Sequence, residues 1–122
     1  FVVVALPLTK ETKRLVGESE LAMMKRTAIL INVGRGEIID EAALVRALNQ
    51  GVIAGAGLDV FEVEPLPKDS PLWAMQNVVI TPHVAGAVID NRERAARFFC
   101  ENLRRYVAGE PLRNVLTLEK GY

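Results

Sequence analysis

Apolar residues in this chain fall into short runs, each closed by Gly, Pro, Asn or Asp. Val2 to Ala5 is a continuous, mostly β-branched run, the pattern of a parallel strand buried on both faces. Pro7 ends it, because proline cannot donate to a ladder. Ala28-Ile29-Leu30-Ile31-Asn32-Val33 predicts a second buried strand, Ile53 to Leu58 a third despite its glycines, and Val78-Val79-Ile80 a fourth. Between the first two, Thr12 to Val16 and Glu18 to Met24 read as short helices separated by Gly17. After the second, Asp40 takes the N-cap place, Leu44, Ala47 and Leu48 recur on one helical face, and Gly51 fits the position just past the helix end. The Pro-rich stretch from Glu64 to Pro71 reads as a surface loop.

From about Ala87 to Ala108 the spacing predicts a long amphipathic helix. Ile89, Ala96, Phe99, Leu103 and Val107 form its apolar stripe, and Gly109 and Pro111 end it. Asp90 with Glu93 has the form of a capping box in which Asp replaces Ser or Thr. The tail from Leu112 to Tyr122 has no clear period. Strand, helix, strand, helix, strand, strand is the pattern of half of a doubly wound parallel α/β sheet.

Composition narrows the classes of function. Half of the 122 residues are hydrophobic and a quarter charged, an ordinary globular balance and enough chain for one domain with a core. Fifteen basic residues balance fifteen acidic ones, which offers no electrostatic case for nucleic acid or an anionic membrane. The apolar runs are far shorter than a membrane span needs. A single cysteine, Cys100, permits no internal disulfide and fits a cytoplasmic protein. With one histidine and one cysteine, no metal site is expected. Phe1 begins in mid-strand, without a signal peptide, as a fragment would.

Three loops beyond apolar runs carry chemistry: Arg35 in Asn32-Val33-Gly34-Arg35-Gly36, Glu64 in Asp59-Val60-Phe61-Glu62-Val63-Glu64-Pro65, and His83 in Thr81-Pro82-His83-Val84-Ala85-Gly86. Loops past strand ends are where open α/β sheets hold ligands. A guanidinium can grip a carboxylate with two parallel hydrogen bonds, and the glycines flanking Arg35 let its backbone approach a ligand closely. His83, the only histidine, is the one side chain suited to imidazole proton chemistry near neutral pH. A carboxylate such as Glu64 beside it would favour the imidazolium. Taken singly, each also has a plainer reading: a turn arginine, an exposed loop acid, a structural histidine. Asp59 is equally readable as a strand-end cap.

Together the three motifs, in this order and approximate spacing, resemble the D-isomer-specific 2-hydroxyacid dehydrogenases, the family of phosphoglycerate, glyoxylate/hydroxypyruvate and D-lactate dehydrogenases. The resemblance covers the whole chain but only the last part of a family member. It implies the C-terminal part of a Rossmann-like sheet plus a return helix. Residues 1–86 would be the C-terminal half of the NAD-binding domain, and residues 87–122 the return helix and tail, packed on a substrate domain not included here. By the same resemblance Arg35 binds the substrate carboxylate, His83 is the acid/base, and Glu64, just before the loop proline, is its partner. Formate dehydrogenases of the wider superfamily have glutamine there, so Glu64 argues against a formate enzyme. Asp59 falls near the nicotinamide, Pro7 and Thr9 pass the adenosine side of the cofactor, and Val33, Gly34, Ala85 and Gly86 correspond to backbone contacts near the nicotinamide, with Arg35 and His83 adjoining it. Trp73 is expected to pack, with an approach to the substrate pocket as the other reading.

The resemblance further implies NAD or NADP as cofactor, a small 2-keto or D-2-hydroxy acid as substrate, and a homodimer when full length. The segments Ala108-Gly109-Glu110-Pro111-Leu112 and Gly121-Tyr122 look most like glyoxylate/hydroxypyruvate reductase types. A rival reading is a nucleotide-sensing interaction protein like the family's transcriptional corepressors. The glycine-rich phosphate loop is not in this sequence: Gly34 and Gly36 lack a third glycine because Ile39 stands there, and Gly55 and Gly57 because Val60 does. The 122 residues alone are therefore expected to be inactive.

Overall fold

A computed structural model describes residues 1–117; the expectation attached to Gly121 and Tyr122 lies outside the described residues. Two compact units divide the chain, Phe1–Ala85 and Gly86–Tyr122.

In the first unit four strands, β1 (Val2–Val4), β2 (Ile29–Asn32), β3 (Gly55–Leu58) and β4 (Val78–Ile80), pair in the order in which they occur, all parallel. Leu30 lies opposite Val2 and Ala56, and Asn32 opposite Val4 and Leu58. Parallel neighbours require crossovers. Helix α1 (Glu18–Ala22) lies in the first, α2 (Glu41–Asn49) in the second, and the third is a long loop with a single 3₁₀ turn at Pro71–Ala74. Leu21, Leu44 and Leu48 from the helices meet Leu30, Ala56 and Leu58 from the sheet in one core. Helix α2 starts and stops as expected: the Asp40 carboxylate accepts from the Ala43 amide (2.9 Å), and Gly51 follows the C-cap with φ 64°.

Two expectations fail here for local reasons. Thr12 to Val16 is not a helix. The Thr9 and Thr12 hydroxyls accept from each other's amides (3.2 and 2.7 Å), and Thr12 Oγ1 donates to the Pro7 carbonyl. Such side-chain bonds offer the backbone an alternative to helix. Arg14 then turns through a left-handed φ of 52°, and Val16 pairs with Ile39 in a parallel bridge. Strand β1 is also not buried on both faces: Val3 is 59% exposed, and only Val4 is buried.

The second unit is helix α3 (Asn91–Val107) and the chain that follows it. Its N-terminus departs from expectation, because Asp90 makes no side-chain cap and Glu93 pairs instead with Arg97 (2.6 Å). No capping box forms. Taken by itself, α3 buries none of its residues, the predicted stripe included. Past Gly109 (φ 69°) the chain turns back along the helix, where Asn102 exchanges two 3.0 Å hydrogen bonds with the Arg113 backbone and Glu101 pairs with the Arg113 guanidinium. Among the described residues no helix is long and apolar enough to cross a membrane.

Candidate active site

Because β2, β3 and β4 run in parallel, the loops leaving their C-terminal ends open on the same edge of the sheet, the edge where such folds bind ligands. Arg35 lies three residues past β2, Asp59 directly past β3, and His83 three residues past β4. Glu64 rides on the crossover between β3 and β4. Topology alone thus gathers four of the expected residues.

His83 and Glu64 touch. The imidazole Nδ1 lies 2.7 Å from Glu64 Oε2, while Glu64 Oε1 accepts from the Phe61 amide (3.0 Å). Held at both oxygens, the carboxylate fixes the ring, and with Nδ1 donating to it Nε2 is the nitrogen left for a ligand. The hydrogen bond from His83 is the main reason that the Glu64 carboxyl sits below its ordinary value. Burial opposes this, and the Phe61 amide and the charges of His83 and Arg35 add to it.

The His83 backbone is itself unusual. Its φ is 54°, in the left-handed region that few residues other than glycine occupy. Asp59 enforces that turn. The Asp59 carbonyl accepts from the His83 amide (2.9 Å), and the carboxylate accepts from Thr81 Oγ1, the Val84 amide (2.9 Å) and the Ala85 amide (2.8 Å). Burial pushes the Asp59 carboxyl up. The bonds from Thr81, Ala85 and Val84 and the nearby His83 outweigh it, so the group ends below its ordinary value. Asp59 is only 4% exposed. It is more than a strand-end cap.

Two hollows flank the pair. Arg35, Gly36, Glu37, Phe61, Glu62, Glu64 and His83, most of them charged, line a cleft of about 210 Å³. On the other side, Phe61, Pro65, Leu66, Trp73, Ile80 and Pro82 join Glu64 and His83 around a larger apolar cavity of about 710 Å³. Trp73 is exposed, and its indole donates to the Pro67 carbonyl (2.9 Å), so it shapes the cavity mouth and does not pack in the core. Arg35 is exposed, with Nη1 resting on the Gly34 carbonyl (2.8 Å).

The arrangement can hold an anion at Arg35 within one small cleft of an imidazole that is oriented by a carboxylate. Among the described residues no group of three or more histidine, cysteine or acidic side chains could hold a metal ion. Residues 1–85 match the sequence profile of the D-isomer specific 2-hydroxyacid dehydrogenase, NAD binding domain. The chain belongs to this family.

Within it, the chain is 50% identical over 119 residues to a glyoxylate reductase of Korarchaeum cryptofilum, which takes in 98% of this chain and 36% of that protein. It is 50% identical over 114 residues to a glyoxylate/hydroxypyruvate reductase B of Pectobacterium carotovorum, 93% of this chain and 36% of that one. A solved D-isomer specific 2-hydroxyacid dehydrogenase of Xanthobacter autotrophicus Py2, in complex with NADPH and MES, superimposes with a TM-score of 0.92 at 55% identity, over 99% of this chain and 49% of that one. An NADPH-dependent glyoxylate/hydroxypyruvate reductase of Sinorhizobium meliloti, in complex with NADP and sulfate, gives a TM-score of 0.89 at 38% identity, over 98% of this chain and 39% of that one. The chain spans about a third of the length of the curated relatives it matches.

Several of the other expected cofactor contacts make hydrogen bonds within the protein. Pro7 and Thr9 belong to the threonine-closed turn after β1. The Val33 amide extends the ladder to the Val4 carbonyl (3.0 Å), while its side chain is exposed. Gly34 is buried and its amide is bonded to Asn32, and the Ala85 amide is bonded to Asp59. Gly86 begins the second unit.

The glycines around Arg35 also approach neighbouring backbone: a Cβ on Gly34 would fall 2.8 Å from the Leu6 carbonyl oxygen. Sequence reasoning also passed over Asn32, Thr81 and Phe61. The signal for Asn32 was available, since an Asn closing a strand ahead of a Val-Gly turn can bond its own backbone two residues on.

Proposed function

We propose that the protein to which this chain belongs interconverts a small 2-keto acid and its D-2-hydroxy acid with NAD or NADP, with glyoxylate and hydroxypyruvate as the favoured keto acids. The observation that carries the reading is the 2.7 Å contact between His83 Nδ1 and Glu64 Oε2 beside the cleft that Arg35 lines. The names of the glyoxylate and glyoxylate/hydroxypyruvate reductases to which the chain is half identical support the choice of substrate.

In this reading Arg35 takes the substrate carboxylate in a two-pronged hydrogen bond and draws electron density from the adjacent carbonyl. His83 Nε2 gives a proton to the carbonyl oxygen in reduction and takes it from the hydroxyl in oxidation. Glu64 keeps the imidazole in one orientation through its bond to Nδ1. The hydride belongs to a bound nicotinamide. The residues present fit the nicotinamide end of such a cofactor: Asp59 Oδ2, which accepts one hydrogen bond here, has a lone pair to spare for a carboxamide, and Val33, Val84 and Ala85 adjoin the same sheet edge. Pro7 and Thr9 would flank the adenosine side. The glycine-rich phosphate cradle is not part of this sequence. Residues 1–86 thus act as the C-terminal half of a nucleotide-binding domain, and residues 87–122 as the return helix and tail that pack on a substrate domain. The intact enzyme works in the cytoplasm as a homodimer, and the 122 residues alone are inactive.

The test is an NADPH- and NADH-oxidation assay of the intact polypeptide with glyoxylate, hydroxypyruvate and other small 2-keto acids. Turnover abolished by His83→Ala and weakened by Arg35→Ala and Glu64→Gln supports the reading. Failure to reduce any 2-keto acid with either cofactor overturns it in favour of a nucleotide-sensing role.

A further inference from the structure

Among the described residues Asn32 is one of two buried polar side chains, and the less accessible, with 1% exposed. A buried amide is costly unless its donor and acceptor are both engaged. Those of Asn32 are engaged, and both bonds go to one loop: Nδ2 donates to the Arg35 carbonyl (3.0 Å), and Oδ1 accepts from the Gly34 amide (3.1 Å). The same loop is held from two more sides, by Gly34 against the Leu6 backbone and by Gly36 against the Phe61 backbone. Arg35 itself is extended (φ −141°, ψ 142°) and exposed. Its backbone is held while its side chain is exposed, with Nη1 on the Gly34 carbonyl, an acceptor that an incoming carboxylate could replace.

An apolar residue here would continue the run Ile29-Leu30-Ile31 but would leave the buried Gly34 amide and the Arg35 carbonyl without these partners, so the amide fixes the loop from which Arg35 projects. We infer that Asn32 is a positioning residue for substrate, acting through Arg35 to set where the guanidinium meets the carboxylate of the 2-keto acid. The inference rests on the reading of Arg35 as the carboxylate clamp.

A double-mutant cycle in the intact polypeptide tests it, with KM and kcat for glyoxylate, KM for NADPH, and thermal melts as the check on folding. Asn32→Ala should raise KM for glyoxylate about tenfold, with a smaller change in kcat and none in KM for NADPH. In the Arg35→Ala background the same substitution should add less than about twofold, because the group through which it acts is gone. Asn32→Asp keeps the shape and the acceptor for Gly34 but sets a carboxylate against the Arg35 carbonyl, so it should raise KM at least as much. Asn32→Ser, which retains an acceptor, takes the place of the alanine variant if that variant does not fold. Independent, multiplicative effects of Asn32 and Arg35 would overturn the inference, as would a wild-type KM in Asn32→Asp. An unchanged KM in Arg35→Ala alone would instead bring down the clamp reading, and this inference with it.

Discussion

Gly36 and Phe61 meet backbone to backbone: a Cβ on Gly36 would stand 1.9 Å from the Phe61 carbonyl carbon and 2.0 Å from its oxygen. The Phe61 amide in turn holds Glu64, the partner of His83. The arginine loop and the acid/base pair are therefore braced against each other through one glycine. Gly36→Ala must force the two loops apart, at a cost of about 1–3 kcal/mol or more. A lowered melting temperature and a loss of turnover beyond what the melt accounts for are expected; an unchanged melt would mean the loops can part freely.

Asp59 should govern the acid limb of stability. Both Asp59 and Glu64 titrate below their ordinary values of 3.8 and 4.5 in the folded protein. A depressed carboxyl stabilises the fold above its unfolded pKa, and that stabilisation is lost as pH falls through the folded value. Melting temperature should thus be flat from neutrality down to about pH 5 and drop below that. Asp59→Asn replaces one of the two acceptor oxygens with a donor that faces either the Val84 or the Ala85 amide, at a cost of about 1–3 kcal/mol at neutral pH. The variant should also lose part of the acid slope, which melts between pH 2 and 7 will read.

His83→Ala removes the largest influence on Glu64. The Glu64 carboxyl should then titrate closer to its ordinary 4.5, a rise visible in carboxyl carbon chemical shifts. In the intact enzyme the same substitution should lower turnover by about 100-fold or more, because the proton donor itself is gone. An unmoved Glu64 titration would separate the pair.

The 122 residues by themselves should bind NADH and NADPH poorly. Helix-terminal amides of a glycine-rich loop normally hold the pyrophosphate, and this sequence has no such loop. Fluorescence titration should show no saturation in the micromolar range.

Much of the site could be read because chain direction and loop position together determine it. A parallel sheet puts every strand-following loop on one edge, so three apolar runs ending in Arg35, Asp59 and His83 motifs already imply a shared site. Capping of α2 was equally legible, since Asp40 and Gly51 act on their own neighbours. The misreadings arose where local and longer-range partners compete. Thr12 bonds Thr9 and Pro7 in place of a helical turn, and Glu93 answers to Arg97 and not to the Asp90 amide. Asn32 bonds the loop only two and three residues on, whereas Leu6 and Phe61, the backbone that Gly34 and Gly36 touch, lie more than twenty residues away in sequence and become adjacent only once the sheet forms.

The left-handed turn at His83 sets function against durability. A residue with a Cβ in that conformation costs about 1–2 kcal/mol, which glycine does not incur. His83→Gly should therefore relax the loop that His83→Ala leaves strained, yielding an inactive protein that is sturdier than its alanine counterpart. Engineering aimed at thermal tolerance alone would be drawn to this position, and would delete the imidazole that the loop presents.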